Sequence, residues 1–250
     1  MRLPVQITNA NHHRLQVLLE LAAITLVAVL FICLSVADVA NYNPDGLNLS
    51  RLTVLSDPTY RQTGLEHERL SGVLLPVKIG LERYRQIPVW NPYISGGEPI
   101  INNAFSYLFN PFHSLPVLLS NSFAQGTKLA TFIALLIAGY GMWTLAYTLG
   151  IGAVGRVAAG AFYLMNGAIA GKFYAGHFQL ALSLAWPPFV LAALWWTLRG
   201  KNRLAPIAFG IAFALLFLAG NIYYVLHTLI CACVIVLFHL IERKPQTTQP

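Results

Sequence analysis

The sequence predicts an all-α, polytopic integral membrane protein with about six transmembrane helices and a large first extracytoplasmic loop carrying amphipathic helices. Three observations carry this reading. The 250-residue chain is 56% hydrophobic and only 10% charged, against about 25% charged residues in soluble domains, and its mean hydropathy is +0.60. Its apolar runs recur at lengths near the roughly 20 residues that a bilayer requires of a helix. Seven of the nine acidic residues (Asp38, Asp45, Asp57, Glu66, Glu68, Glu82 and Glu98) fall in one long polar segment between the first apolar run and the second. In hydrocarbon every backbone polar group must be paired within the chain, so helices are the expected spanning element.

The first apolar run covers about 15–37. It is longer than the hydrophobic stretch of a signal peptide and lacks a clean small-residue cleavage site, so it is expected to remain as a helix. Five further spans are expected at about 128–149, 153–172, 179–198, 204–219 and 221–240. The organisation is then 1–37, cytoplasmic N-terminus and first span; 38–127, extracytoplasmic loop with surface helices; 128–240, transmembrane bundle; and 241–250, cytoplasmic tail. Orientation follows from Lys and Arg in the short segments. Arg2, Arg14, Arg156, Arg199, Lys201, Arg203, Arg243 and Lys244 all fall on one side, while the opposite short loops hold only Lys172. Both termini are therefore expected in the cytoplasm, the large loop outside, and the chain in a bacterial-type plasma membrane.

Within the loop, Leu70, Val73, Leu74, Val77, Leu81 and Tyr84 recur at helical spacing, with Glu66, Lys78, Glu82 and Arg85 on other faces. This pattern suits an amphipathic helix on the membrane surface, bent near Pro76, or one packed against the rest of the loop, and the two are compatible. The segment 88–99 is dense in Pro, Gly and Asn and reads as turns. Residues 104–119 are apolar but interrupted by Pro111 and Pro116, which suits a short interfacial or re-entrant element.

Net charge is +7, with a pI near 9.5. The basic residues lie between and beside the apolar runs, where topology accounts for them, and no nucleic-acid partner is expected. Cys33, Cys231 and Cys233 sit inside apolar runs and read as lipid- or helix-facing packing residues. The spacing of Cys231 and Cys233 is that of neither a zinc site nor a redox pair. Gly150, Gly152 and Gly155 match a dinucleotide fingerprint by letter but lie between membrane helices with no preceding strand. The small residues from Gly152 to Gly171 suit close helix contact.

Val89-Trp90-Asn91-Pro92-Tyr93, followed by Gly96-Gly97-Glu98-Pro99 and Phe109-Asn110-Pro111, resembles the first outer loop of YfhO-like bacterial membrane proteins, which are related to the GT-C glycosyltransferases. Gly176-His177-Phe178-Gln179, Trp186-Pro187-Pro188 and Gly220-Asn221-Ile222-Tyr223 resemble later spans of the same family. The resemblance covers most of the chain from about residue 60. It implies a GT-C-like architecture, a sugar donor carried on polyprenyl phosphate, and transfer on the outer face with an acidic catalytic residue in the first outer loop. Family members usually have many more spans, so the resemblance implies a fragment, a split protein whose second chain supplies further helices, or a degenerate copy. The family's acidic position falls near Glu66, where aspartate is more usual.

Inverting sugar transfer needs a base for the acceptor's proton and a cation for the departing phosphate. Asp38, at the outer end of the first span, and Glu66 and Glu68, flanking His67 at the start of the surface helix, are the candidate catalytic carboxylates. Their plainer roles are a helix end in water and a favourable helix-dipole interaction. Asp57, Glu98, Lys172 and His177 are candidate substrate-binding residues; Asp57-Pro58 also suits a turn, and a lone histidine is usually structural. Arg61, Arg69 and Arg85 suit phosphate or solvated loop charge. No metal ligand set is assigned, since a divalent ion at Glu66-His67-Glu68 needs a ligand from elsewhere. The expected partners are the lipid bilayer and the lipid-linked donor.

The expected function is therefore a membrane glycosyltransferase. The alternatives are a transporter or flippase subunit and a non-catalytic assembly protein. Transporters bury ionisable residues inside their spans, and the middles of these spans are expected to hold none.

Overall fold

The computed structural model describes residues 5–36, 74–91, 96–100, 107–121, 123–174, 178–200 and 203–242. These residues are mostly helical. Helix α1 spans Val5–Phe31 and runs on as a π-turn, Ile32–Val36. Residues 74–79 form α2, which ends in a π-turn at Gly80–Tyr84. Strands β1 (Trp90–Asn91) and β2 (Glu98–Pro99) make a minimal antiparallel pair, with Trp90 opposite Pro99 and Asn91 opposite Glu98. The entry into β2 needs glycine, because Gly96 and Gly97 have φ of 80° and 114°. Among the described residues seven helices follow: α3 Pro111–Leu119, α4 Phe123–Thr148, α5 Ala153–Leu164, α6 Gly167–Tyr174, α7 Phe178–Ser183, α8 Pro187–Arg199 and α9 Ala205–Leu218. Helix α10, Ile222–Glu242, closes the fold.

Three of these helical segments are long and apolar enough to cross a membrane: His12–Leu34, Gln125–Thr148 and Ile222–Glu242. Leu18 and Leu26 on α1, and Leu229, Ile230 and Leu237 on α10, are among the apolar side chains exposed on these helices. Such continuous apolar surface suits lipid, and these helices fit a membrane protein. Cys33, Cys231 and Cys233 are exposed on the same two elements.

The expected spans at 153–172 and 179–198 are each divided. The first breaks at Met165-Asn166, where the Asn166 amide donates to the Tyr163 carbonyl at 2.6 Å and its oxygen accepts from the Ile169 N–H at 2.9 Å. This side chain ends one helix and caps the next. The second breaks at residues 184–186, because Pro187 and Pro188 lack the N–H groups needed to continue α7. Helix α8 then has 13 residues, or about 20 Å of rise, against a hydrocarbon core of about 30 Å. Helix α4 begins at Phe123, ahead of the expected start at 128.

Packing is organised on α1, α4 and α5. Glu20 meets Trp143, while Thr25 meets Tyr140 through a 2.6 Å hydroxyl contact, so α1 and α4 run antiparallel. Glu20 meets Arg156, and Ile24 lies against Gly160, so α5 runs parallel to α1. The core formed around Ile24, Leu135, Leu164, Val190 and Leu216 extends into α8 and α9.

The described part of the loop helix packs on protein. Leu74 belongs to the main core, and Val77 packs with Ile100 in a second cluster. Of the two expected settings, which are compatible with each other, packing on protein is seen for Leu74 and Val77; Leu70 and Val73 lie outside the described residues. Lys78 fixes the contact. Its ammonium donates to the carbonyls of Leu118 (3.2 Å) and Ser120, at the end of α3, and pairs with Glu82 at 2.9 Å. A cation at a helix C-terminus meets carbonyls that have no partner within the helix.

Candidate functional site

Most of the residues nominated from sequence fall outside the described part. Asp38, Asp57, Glu66, Glu68 and His177 are all among these. Glu98 lies in β2, and Lys172 is half-buried in the last turn of α6. The described residues instead form two polar centres.

The first lies inside the α1–α4–α5 packing. The Glu20 carboxylate accepts from Arg156 Nε at 2.8 Å and from Arg156 Nη2, and also from Trp143 Nε1 at 2.7 Å and Gln16 Nε2 at 3.1 Å. Arg156 also donates to the Ile151 carbonyl at 3.0 Å and sits over the rings of Trp143 and Tyr147, at 5.8 and 5.2 Å from their centroids. Glu20 is buried. The expectation of no ionisable residue concerned the middles of the spans; Glu20 lies in the N-terminal half of its apolar segment, His12–Leu34, and its partner Arg156 in the first turn of α5. The carboxylate is tolerated there because four donors, two of them from one guanidinium, surround it. An acid within an apolar run was the signal for it.

The second centre is a polar layer where several helices begin or end. Asn110 caps α3, accepting from the Phe112 N–H at 3.2 Å, and its amide donates to the Leu215 carbonyl of α9 at 2.9 Å. Ser183, at the end of α7, donates to the Ala219 carbonyl at 3.0 Å. Tyr163 donates to the Leu184 carbonyl at 2.8 Å. Asn221 caps α10, accepting from the Tyr223 N–H at 3.0 Å. Phe112 and His113 both meet Trp186, with ring centroids 5.3 and 6.5 Å apart.

Comparison with protein-family models, curated proteins and solved structures gives no match.

Residues within or beside three separated motifs thus make contact: Phe112, next to Asn110-Pro111, meets Trp186, Asn110 reaches Leu215 of α9, and Ser183 reaches Ala219, next to Gly220-Asn221. His113 is fully buried, and neither ring nitrogen has a hydrogen-bond partner among the described residues; Trp186 Nε1 and Thr131 Oγ1 are likewise buried without one. Burial pulls the His113 pKa from 6.5 down to about 3, so the imidazole is neutral. His113 lies two residues beyond the Pro111 of the sequence motif, and its isolation could not be read from that motif. Among the described residues, no three His, Cys, Asp or Glu side chains come together as metal ligands would.

Proposed function

We propose that this protein is a GT-C-like, YfhO-like membrane glycosyltransferase with about six spans, which moves a sugar from a polyprenyl-phosphate donor to an acceptor on the outer face. Asp38 or the Glu66/Glu68 pair acts as the base. Asp57, Glu98, Lys172 and His177 contact substrate, with the cations meeting the donor phosphate. One observation supports this reading above the others. Residues at or beside the motifs that carry the family resemblance are joined by side-chain contacts: Phe112 with Trp186, Asn110 with Leu215 of α9, and Ser183 with Ala219, the residue before Gly220-Asn221. Shared packing gives these separated motifs a common structural reason.

The test is release of labelled sugar from a panel of polyprenyl-phosphate sugars by protein in nanodiscs. The expected result is turnover by wild type that is abolished in Asp38→Ala or Glu66→Ala, with insertion unchanged. Absence of turnover with every donor, or equal turnover in all carboxylate variants including Glu68→Ala, overturns the assignment.

A transporter is the second reading, supported by the divided helices at 165–166 and 184–186 and by the buried Glu20–Arg156 pair. Interrupted helices and ionisable groups inside spans accompany transport sites. Flux of a polar solute into proteoliposomes without carboxylate-dependent sugar release would favour it.

A further inference from the structure

The His113–Trp186 contact is the least satisfied part of the described structure. The large majority of buried side-chain polar groups find a hydrogen-bond partner, and leaving one without is costly. Here two adjacent side chains, 0% and 5% exposed, leave three ring nitrogens without partners among the described residues. Their neighbours do not relieve them. The Asn110 side chain is committed to Phe112 and Leu215, and Ser183 donates to Ala219.

The chemistry on offer is specific. The indole is a donor only, and a neutral imidazole is one donor and one acceptor. No charge accompanies them from the helix starts. Pro111, Pro187 and Pro188 have no N–H, and the N–H groups of Phe112, His113, Phe189 and Val190 are bonded within their own turns. A phosphate or carboxylate would find little compensation here, whereas a hydroxyl can accept from one ring and donate to the other. Phe112, Trp186 and Phe189 form a run of aromatic rings, with centroids 5.3 and 6.4 Å apart, against which an apolar ring face can stack.

We propose that His113 and Trp186 form a binding site for a neutral, hydroxyl-bearing ring, a sugar, whose hydroxyls supply the partners both side chains lack. The choice of a sugar over another hydroxyl compound rests on the glycosyltransferase reading above. Both side chains are buried in this structure, so entry requires displacement of the non-helical turn at 107–110, which precedes α3 and whose Tyr107 lies against His113.

The experiment uses the full chain, with its five tryptophans 15N-labelled, in nanodiscs free of sugar-headed detergent. The Trp186 indole signal is assigned by its loss in Trp186→Phe. Glucose, galactose and N-acetylglucosamine are titrated in turn, with glycerol as a small hydroxyl control. The expected result is a saturable shift of the Trp186 signal with at least one sugar. Affinity should fall about tenfold in His113→Phe, the loss of one buried hydrogen bond, and be largely retained in His113→Gln, which keeps a donor and an acceptor. If His113→Phe does not fold, the Gln variant and Trp186→Phe, read by a labelled neighbouring methyl, carry the comparison. No shift with any sugar, a shift reproduced by glycerol, or identical affinity in both His113 variants overturns the proposal. The readout needs no turnover. Sugar binding without transfer leaves the site standing and removes the enzymatic reading; transfer without a Trp186 response does the reverse.

Discussion

Glu20 of α1 and Arg156 of α5 form a two-point ion pair inside the bundle, with the Trp143 indole completing the carboxylate's shell from α4. Three helices are therefore held in register by one acid. Removing one partner of such a pair strands the other charge, which typically costs about 3–5 kcal/mol.

Glu20→Ala should accordingly destabilise the protein by about 3 kcal/mol or more, and Glu20→Ala/Arg156→Leu by less than the sum of the single changes. Denaturant unfolding in mixed micelles provides the double-mutant cycle. Strict additivity would mean that the pair contributes nothing as a pair.

Gly160 sets how closely α5 approaches its neighbours. A Cβ there would lie 2.8 Å from the Gly139 carbonyl oxygen and 2.8 Å from Ile24 Cδ1. The first contact is backbone and cannot move aside. Gly160→Ala is expected to cost about 1–3 kcal/mol as an overpacked position. Gly152→Ala, with open space around it, should change stability little. Equal melting temperatures for the two variants would contradict this packing.

His113 predicts a pH dependence with a definite sign. Its folded-state pKa is about 3, against 6.5 in the unfolded chain, so between these values the unfolded state binds the extra proton. The stability associated with the neutral imidazole is fully present above about pH 6.5 and is lost as pH falls through that window, by about 1.4 kcal/mol per unit. His113→Phe should flatten this slope. Unfolding followed between pH 7 and 5 checks it, with an expected loss of about 2 kcal/mol for wild type relative to the variant. Parallel curves would place the imidazole in contact with water.

The loop and the α8–α9 connection are expected on opposite sides of the membrane. Ile87, exposed after α2, and Arg203, before α9, report on this when changed singly to Cys in a chain lacking Cys33, Cys231 and Cys233. An impermeant maleimide applied to intact cells should label position 87 and leave position 203 unlabelled until the cells are opened. Labelling of both from outside would overturn the orientation.

Part of the candidate site was legible in the sequence only as separate pieces. The motifs around Asn110, Trp186 and Asn221 were each visible, yet nothing local says that the Asn110 amide reaches Leu215 or that His113 lies against Trp186. The spans at 153–172 and 179–198 read as continuous because hydropathy averages over the Asn166 and Pro187-Pro188 breaks.

By itself, the sequence determined the helical class, the apolar runs, the glycine turn at 96–97 and the small-residue contact that Gly160 makes. These depend on local composition and period: hydrocarbon demands internal hydrogen bonds, positive φ favours glycine, and close helices favour small side chains. Only the tertiary structure decided that Glu20 is a paired, buried acid, that Leu74 and Val77 face protein, that Asn110 reaches α9, and that Phe112 and His113 lie against Trp186. Each of those outcomes depends on which distant segment supplies the partner, and hydrophobic burial, being non-directional, does not encode that choice in any single stretch of chain.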